Sequence, residues 1–452
     1  MNLIGLDIGT TTICAFVLDI ESGNEVETVI IPNNSTINTG KTWENCQDPE
    51  KIVELVTGLL DQLKARHAPV GAIGLTGQMH GIVYLDSNGW AVSPLYTWQD
   101  QRGSLISDTG ITYTEELTNK VGYFLADGYG SVIHYYNSRN HLIPANACCF
   151  ASIQDYVSMV LANRKRPLVH VTSAASFGLF QLNTKEFDNA AISRACMNES
   201  FFPETTNEIS VLGYSNDGIP IAVAIGDNQA SFIGSVRDPE NSILINIGTG
   251  GQISVRTPKL INLPSIETRP CFENDYLLVG STLCGGCSYE LLERFIRRCA
   301  ELTGQKIDNL YPQINELAQK NLNINNNPRI QTSFAGTRQN PTLRGSINNL
   351  DKDNFTPEQF IVATLKGIAD ELYSLYSKIE SALDRQMTTL IGSGNGIRLN
   401  PALREIIARF FNKQIYIPVQ AEEASLGAAL FASVAIKVNA SLAEAQKVIQ
   451  YR

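Results

Sequence analysis

The chain has 452 residues, of which 43% are hydrophobic and 18% are charged, and its net charge is −10. This composition is globular, and at roughly 100–200 residues per domain the length predicts two or three domains. The acidic balance argues against nucleic acid or an anionic membrane surface as the main partner. Nine cysteines, an odd number, indicate no disulfide framework and suit a reducing compartment. No apolar run approaches the roughly 20 residues that span a bilayer, so we expect a cytoplasmic protein.

Strand and helix patterns alternate from the start of the chain. Apolar runs at residues 3–6 and 13–18 predict two buried strands joined by a Gly/Thr turn. Asp48 as N-cap and Pro49 in the first turn then predict the start of a helix with one apolar stripe. Further strand patterns follow this helix. Such alternation indicates an α/β sheet covered by helices.

A short sequence near the start returns in the middle of the chain. LDIGTTT at residues 6–12 resembles INIGTGG at residues 245–251, and each follows one apolar strand pattern and precedes another. The repeat predicts two related domains, residues 1–235 and 236–452. A chance match between two Gly/Thr turns is the alternative.

Several common catalytic patterns are absent from the sequence. The chain has no GxxxxGK[ST] phosphate loop, and its five histidines lie in the first half without metal-ligand spacing. Cys284 and Cys287 form a CxxC with no second pair. These observations exclude a P-loop enzyme and argue against a zinc site or a thioredoxin-like redox site.

The two Gly/Thr turns have the chemistry of phosphate-binding loops. Glycine lets the backbone approach a phosphate closely, and amides and threonine hydroxyls donate hydrogen bonds. Asp7, at the end of the first strand, is suited to hold water on a divalent cation. Taken singly, either turn is more often a plain hairpin. One turn in each domain predicts a clamp for a polyphosphate.

Polar side chains follow three predicted strands. Asp227 comes directly after the apolar run at residues 221–225, where α/β proteins place their chemistry, although an aspartate there is as often a helix N-cap. Two other strand ends carry hydrogen-bonding groups beside an apolar or aromatic wall, which suits sugar hydroxyls. Their residues are Gln78, Met79, His80, Trp98 and Asp100. Taken singly, each of these segments is equally a polar loop cap.

Seven segments, in this order along the chain, are similar to motifs of the FGGY carbohydrate kinases, a family that includes glycerol, xylulose, gluconate and sedoheptulose kinases. The segments are LDIGTTT, TGQMHG, TWQDQR, IGDNQAS, NIGTGG, FAGTRQNPTLRG and IGSGNG, and the resemblance covers nearly the whole chain. It implies an α/β protein of two domains with the actin/hexokinase/Hsp70-like (ribonuclease H-like) fold. ATP and sugar would then lie in the interdomain cleft.

The resemblance also implies roles for individual residues. Asp227 matches the catalytic base, which takes the proton from the sugar hydroxyl as that oxygen attacks the γ-phosphorus of ATP. Asp7 matches the acidic residue that helps to place Mg²⁺ through water. The sugar-binding positions are Gln78, Met79, His80, Trp98, Asp100 and Asp227. The nucleotide-binding positions are Thr10, Thr11, Thr12, Gly248, Thr249, Gly250, Gly286, Gly394, Asn395 and Asn400.

Two sugar-site motifs point to the substrate within this resemblance. Met79-His80 is the ketose-type variant, and Trp98-Gln99-Asp100 looks more like the sedoheptulokinase pattern than the Trp-Asn-Asp of xylulokinases. The resemblance therefore predicts phosphorylation of sedoheptulose at a terminal hydroxyl, to sedoheptulose 7-phosphate. Residues 128–137, beside the sugar site, depart from the family's Lys-x-x-Trp signature.

Other functions stay open at this point. Within the class, the alternative is a xylulokinase or another ketose or polyol kinase. An actin- or Hsp70-like ATP-binding switch is opposed by the TGQMHG and TWQD segments, and a catalytically dead sugar sensor is opposed by the presence of Asp7 and Asp227. The expected partners are a small-molecule sugar and ATP with Mg²⁺, and the sequence leaves monomer and homodimer equally open.

Overall fold

The structure, a computed structural model, describes residues 1–304, 306–337, 340 and 342–452. Arg338, Gln339 and Pro341 of the FAGTRQNPTLRG segment therefore lie outside the described residues. The chain forms two compact units. Unit 1 comprises Met1–Arg237, Arg269–Asp275 and Glu422–Ile449, and unit 2 comprises Asp238–Thr268, Tyr276–Ala421 and Gln450–Arg452. A domain boundary between residues 235 and 236 stays a prediction.

Unit 1 is built on a mixed sheet of seven strands. The strands are β1 (Asn2–Ile8), β2 (Thr12–Asp19), β3 (Asn24–Pro32), β4 (Val70–Gly77), β5 (Val211–Tyr214), β6 (Pro220–Ala222) and β7 (Ile225–Gly226). Their order is β5-β6-β4-β1-β2-β3, and β7 also pairs with β4. Because β1, β4 and β7 are parallel, their carboxyl ends meet at one edge of the sheet.

A second sheet has six strands in the order β10-β11-β9-β8-β12-β13, and its residues belong to unit 2 except for Arg269 and Pro270 at the end of β10. The strands are β8 (Ser242–Ile247), β9 (Gly251–Thr257), β10 (Ile266–Pro270), β11 (Tyr276–Thr282), β12 (Thr389–Ser393) and β13 (Ile415–Tyr416). Like β1 and β2, strands β8 and β9 form an antiparallel hairpin, and β12 lies parallel to β8 as β4 lies parallel to β1. The repeated sequence thus forms the same hairpin turn in each unit.

The main helices are numbered along the whole chain. They are α1 (Pro49–His67), α2 (Tyr113–Val121), α3 (Gly130–Arg139), α4 (Ile153–Leu161), α5 (Asp227–Ser235), α6 (Gly286–Glu301), α7 (Tyr311–Lys320), α8 (Pro357–Leu383), α9 (Asn395–Arg398), α10 (Pro401–Phe411) and α11 (Glu423–Ala435). Helices α6–α10 belong to unit 2 and the others to unit 1. Within the described ranges, no helix combines the length and apolarity that crossing a membrane requires.

Short elements complete the two units. The short strands are Thr36–Ile37, Cys46–Gln47, Val83–Leu85, Leu95–Tyr96, Cys149–Ala151, Leu168–His170, Phe180–Gln181, Glu186–Phe187, Glu204–Thr206, Arg329–Gln331 and Ser346–Asn348. The short helical segments are Arg102–Ser104, Val171–Ala174, Ala175–Phe177, Asn189–Arg194, Glu199–Phe201, Leu442–Ala445 and Gln446–Val448.

Local sequence signals explain the first elements. The predicted strands at residues 3–6 and 13–18 lie within β1 and β2, and both strands are mostly buried. The Asp48 side chain caps α1 by accepting hydrogen bonds from the backbone N–H groups of Glu50 and Lys51, at 3.0 and 3.1 Å. The apolar stripe of α1 is buried against the sheet of unit 1, so these predictions are confirmed.

Helix α11 packs unusually close to the sheet and to α5 within unit 1. A Cβ atom added at Gly5 of β1 would lie 1.8 Å from the backbone oxygen of Ser425 in α11. One added at Gly427 of α11 would lie 1.9 Å from the backbone oxygen of Ala230 in α5. Only glycine permits such an approach of backbones. This packing fixes β1, which carries Asp7, relative to α5, which begins at Asp227.

Candidate functional site

Two carboxyl groups lie near each other at the edge of the unit 1 sheet. Asp7 is the penultimate residue of β1, and Asp227 is the first residue of α5. Burial, together with the negative charges of Asp227 and Glu422, raises the pKa of Asp7 to about 7. Burial also raises the pKa of Asp227 to about 6, against the opposing effects of the Arg269 charge and the Asn228 backbone N–H. Such values suit groups that exchange protons near neutral pH.

Asp227 does not serve as the N-cap of its helix. Gly226 occupies that position, so the carboxylate of Asp227 is not committed to capping α5. Hydrogen bonds hold the preceding backbone, because Thr76 Oγ1 donates to the oxygen of Ile225 at 2.8 Å and the N–H of Gly226 donates to Thr172 Oγ1 at 3.1 Å. These bonds, from Thr76 in β4 and to Thr172 in the short helix Val171–Ala174, hold the backbone that leads into Asp227.

Thr10, in the turn between β1 and β2, contacts two residues predicted to bind sugar. Its hydroxyl donates to Gln78 Oε1 at 3.2 Å and accepts from Trp98 Nε1 at 3.1 Å. Gln47 links the same groups, since its Nε2 donates to the Thr10 backbone oxygen and its Oε1 accepts from Gln78 Nε2, both at 2.7 Å. The structure thus joins the predicted phosphate loop to the predicted sugar site. Thr11 and Thr12 are exposed residues of that loop.

His80 is held rigidly in an uncommon backbone conformation. Its φ of 75° lies in the left-handed region, which a non-glycine residue adopts at a cost. Its Nδ1 donates to the backbone oxygen of Ser176 at 2.7 Å, and its backbone N–H donates to Ser176 Oγ at 3.1 Å. Its ring stacks on Tyr129, with centroids 4.8 Å apart and planes 2° apart. Strain maintained by several contacts is typical of a functional position.

Met79 and Trp98 provide the apolar and aromatic surfaces of the predicted sugar site. Met79 is buried, and a Cβ atom added at Gly226 would lie 2.8 Å from its Cε, so it packs against the backbone that precedes Asp227. The Trp98 side chain is 47% exposed, which leaves an aromatic face open to a ligand. Unit 1 therefore brings Thr10, Gln78, Met79 and Trp98 together, with Met79 beside the start of α5.

Asp100 has an additional partner that the sequence did not indicate. It is 1% exposed, and its two oxygens accept from Nε and Nη2 of Arg102 at 2.6 and 3.1 Å. One of them also accepts from the backbone N–H of Asn45 at 3.1 Å. Arg102 is itself buried, 4.0 Å from the ring centre of Tyr96. Asp100 thus neutralises the buried Arg102, and its contact with a sugar hydroxyl stays a prediction.

The strip at residues 128–137 places only part of its sequence beside this site. A Cβ atom added at Gly128 would lie 1.9 Å from the oxygen of Trp98, and one added at Gly130 would lie 3.0 Å from the oxygen of His80. His134, by contrast, is buried, its Nδ1 lies 2.9 Å from the Tyr84 hydroxyl, and burial lowers its pKa to about 3. The glycines of the strip adjoin the predicted sugar residues, and His134 belongs to the core.

The hairpin turn of unit 2 packs against the start of α6. The N–H of Gly286 donates to the oxygen of Gly248, and the N–H of Cys287 donates to the oxygen of Thr249, both at 2.9 Å. A Cβ atom added at Gly286 would lie 2.4 Å from the oxygen of Gly248, so this approach requires glycine. Gly250 completes the turn. The structure thus brings together four residues predicted to bind nucleotide, which are Gly248, Thr249, Gly250 and Gly286.

The predicted adenosine loop follows β12 in the same unit. Gly394 has a φ of 79°, and a Cβ atom added there would lie 2.5 Å from the oxygen of Ile247, which directly precedes the hairpin turn. Asn395 begins α9. Asn400 caps α10, where its Oδ1 accepts from the N–H of Leu403 at 2.9 Å. The turn and the loop thus lie next to each other, while a contact of Asn400 with the base stays a prediction.

Comparison with known proteins agrees with this arrangement. The sequence matches the N-terminal domain of the FGGY family of carbohydrate kinases over residues 2–238 and its C-terminal domain over residues 243–436. A sedoheptulokinase from Mus musculus is 24% identical over 477 residues, which cover 94% of this chain and 96% of that protein.

Two solved structures show the fold. A ligand-bound xylulose kinase from Lactobacillus acidophilus, 20% identical, has a TM-score of 0.84 over 100% of this chain and 92% of its own. Plasmodium falciparum glycerol kinase with ADP, 21% identical, has a TM-score of 0.82 over 99% of this chain and 92% of its own. The expected actin/hexokinase-like α/β fold is confirmed. Since the family matches together span most of the sequence, the chain belongs to the FGGY family of carbohydrate kinases, which phosphorylate sugars and polyols.

Proposed function

We propose that the chain transfers the γ-phosphoryl group of ATP to a terminal hydroxyl of sedoheptulose, which gives sedoheptulose 7-phosphate. The observation that carries this proposal is the contact of Thr10 with Gln78 and Trp98 in unit 1. Phosphoryl transfer requires the phosphate and the accepting hydroxyl side by side, and this contact joins the two predicted sites. The likeness to a sedoheptulokinase supports the choice of sugar.

Asp227 is the proposed general base. Its carboxylate takes the proton of the sugar hydroxyl as that oxygen bonds to the γ-phosphorus, and the bond from this phosphorus to the β–γ bridging oxygen breaks to leave ADP. A pKa of about 6 leaves Asp227 mostly ionised at neutral pH and makes its carboxylate a stronger base than that of an ordinary aspartate. The Arg269 charge favours the ionised form that the reaction requires.

ATP is the proposed phosphoryl donor. In unit 2, Gly286 and Gly394 pack against the backbone of the hairpin turn, whereas a Cβ atom added at Gly248 would meet nothing within 4 Å, so the turn is open to a polyphosphate at Gly248. Thr249 adds a hydroxyl donor to the turn. The nucleotide carried by the related glycerol kinase structure supports this assignment.

The residues present fit Mg²⁺ held through water near Asp7. Carboxylate oxygens are the hard ligands this ion prefers, and it usually keeps several of its own waters. The charges of Asp227 and Glu422 raise the pKa of Asp7, and a divalent cation would offset them. In the described part of the chain, no three or more His, Cys, Asp or Glu side chains are grouped to hold a metal directly. When bound, the ion would neutralise charge on the phosphates.

The proposed sugar residues suit an uncharged ketose. Gln78 and His80 offer neutral hydrogen-bonding groups, and Trp98 offers an aromatic face to the C–H side of a sugar chain. None of the predicted sugar residues carries the fixed positive charge that a sugar acid or sugar phosphate would need. A longer ketose forms hydrogen bonds with more of these groups. A shorter analogue leaves some of them unpaired, which reduces its turnover.

A panel of acceptors tests the substrate. We expect sedoheptulose to exceed xylulose in kcat/KM, with gluconate and glycerol poor, when ADP formation is followed at saturating ATP. Xylulose better by about tenfold, equivalent to 1.4 kcal/mol in the transition state, would favour the xylulokinase alternative. Absence of phosphorylation of every ketose and polyol would overturn the catalytic proposal and favour a non-catalytic ATP-binding switch.

A further inference from the structure

Unit 2 contains a surface cavity beside α10 and the edge strand β13. Its volume is about 630 Å³, within the range of about 300–1,000 Å³ typical of small-molecule sites. None of the residues predicted above to bind nucleotide lines it. The cavity is therefore separate from the predicted phosphate turn and adenosine loop of this unit.

Positive charge dominates the cavity. Arg398, Arg404 and Arg452 line it, and Glu405 is the one acidic residue in the lining that the structure describes. The Glu405 carboxylate is already bonded to Nη2 of Arg409, one turn along α10. Three guanidinium groups in one concave site of a chain with net charge −10 concentrate positive potential there, which attracts anions.

Backbone oxygens order the guanidinium groups of Arg398 and Arg404 before any ligand arrives. Arg398 Nη1 donates to the oxygen of Pro418 at 2.8 Å, and its Nη2 donates to the oxygen of Gln420. Arg404 Nη1 donates to the oxygen of Arg398 at 3.3 Å. Backbone hydrogen bonds with Ile417 hold Arg452 beside the edge strand. Prior ordering lowers the entropy that binding costs.

The rest of the wall is apolar. Pro401 and Ala408 line the cavity from α10, and Ile415 and Ile417 line it from β13 and the segment after it. A bare inorganic anion would contact the guanidinium groups and leave this wall in water. A ligand with an anionic head and an apolar body would use both surfaces, and burial of its body would strengthen binding.

From this geometry we infer that the cavity is a binding site for a small organic phosphate, with the phosphate at Arg404 and Arg452 and the organic body against the apolar wall. Phosphate is preferred because the planar guanidinium fork donates two parallel hydrogen bonds to its oxygens. Arg398, already bonded to two carbonyl oxygens, supplies charge and holds Arg404 through its own backbone oxygen.

Calorimetric titration of the full chain with phenyl phosphate tests the site. We expect binding that weakens at least about tenfold in Arg404→Gln, because a charge-assisted bidentate contact is lost. Arg385→Gln is the control, since Arg385 is an exposed arginine of the same unit that lies outside the lining and donates to the backbone oxygen of Glu240. Arg452→Gln, at an exposed residue, repeats the test should Arg404→Gln fail to fold.

The outcomes separate this site from other anion sites. Inorganic phosphate should bind more weakly than phenyl phosphate, and benzyl alcohol, which lacks the charge, should not bind. Equal affinity in wild type, Arg404→Gln and Arg452→Gln would assign the phosphate to another site and overturn the inference. An equal loss in Arg385→Gln would reduce the effect to non-specific surface charge and overturn the inference as well.

Discussion

At the level of single residues, Asp227 has two opposing requirements. A general base must be ionised, whereas burial in unit 1 favours the protonated form and raises its pKa from 3.8 to about 6. The nearby Asp7, with its pKa raised to about 7, shows the same conflict. A buried carboxylate of this kind lowers the free energy of unfolding, and this effect on stability can be measured separately from activity.

Asp227→Asn should therefore abolish turnover and stabilise the protein. We expect kcat to fall by about 10²–10⁴-fold, since the proton acceptor is lost, with sugar affinity retained. The folded-state pKa of Asp227 lies above its unfolded value, so the contribution of this group to stability is fully present below pH 3.8 and is lost as the pH rises through about 6. The variant avoids this loss, so its Tm should exceed that of wild type at pH 8 and match it at pH 4. A kcat near wild type would contradict the assignment.

The pH dependence of the reaction gives an independent measure of the same group. We expect kcat/KM for the sugar to fall about tenfold per pH unit below pH 6, as the Asp227 carboxylate becomes protonated. Saturating ATP and a buffer series at constant ionic strength would define this limb. If kcat/KM stays constant down to pH 4.5, the reaction does not depend on a buried carboxylate as its base.

His80 should act on the sugar and not on the nucleotide. His80→Ala should raise the KM for the sugar by about tenfold or more and change the KM for ATP by less than about twofold, because a fixed hydrogen-bonding group of unit 1 is removed. Tyr129→Leu, which removes the stacked ring, should have the same but smaller effect. Equal changes in both KM values would contradict this role.

Among the elements, α11 determines where the two carboxylates lie. It contacts β1 at Gly5 and α5 at Ala230, each with backbone against backbone. This helix arises more than 180 residues after α5 in the chain, yet it belongs to unit 1. Its packing couples the stability of unit 1 to the geometry of the proposed catalytic pair.

Gly427→Ala should therefore reduce both stability and activity. The added methyl group would lie 1.9 Å from the Ala230 oxygen, so α11 and α5 must separate, at a cost of about 1–3 kcal/mol. Thermal unfolding should show a lower Tm, and kcat should fall with it. Gly58→Ala is the control, because that helical position has nothing within 4 Å and should gain about 0.5–1 kcal/mol. Equal Tm values for the two variants would contradict the close-packing argument.

Local signals explain which of these features the sequence could predict. The β1–β2 and β8–β9 hairpins and the Asp48 cap depend on neighbouring residues, and so the apolar runs and turn residues predicted them. Gln47 and Arg102 were not predicted, because their importance arises from partners brought close by the fold. The membership of α11 in unit 1 likewise depends on contacts between segments far apart in the chain. The small residues of α11, such as Ala424, Gly427 and Ala428, permit this close packing but do not specify which segments α11 packs against.

For the molecule as a whole, the family membership and the arrangement of the site residues both indicate a carbohydrate kinase. Each unit begins its sheet with a hairpin whose turn is rich in glycine and threonine, and the unit 1 turn contacts the predicted sugar residues through Thr10. Membership of the FGGY family makes the chain a carbohydrate kinase. What the proposal adds is the acceptor, a ketose, and the base, Asp227.

One measurement tests these two additions together. Wild type and Asp227→Asn would be incubated with ATP, Mg²⁺ and sedoheptulose, and the sugar product and ADP would be quantified by mass spectrometry. We predict one sedoheptulose 7-phosphate formed for each ADP with wild type, and a rate lower by at least about 10²-fold with Asp227→Asn. ADP formed without sugar phosphate, or equal rates for the two proteins, would contradict the account.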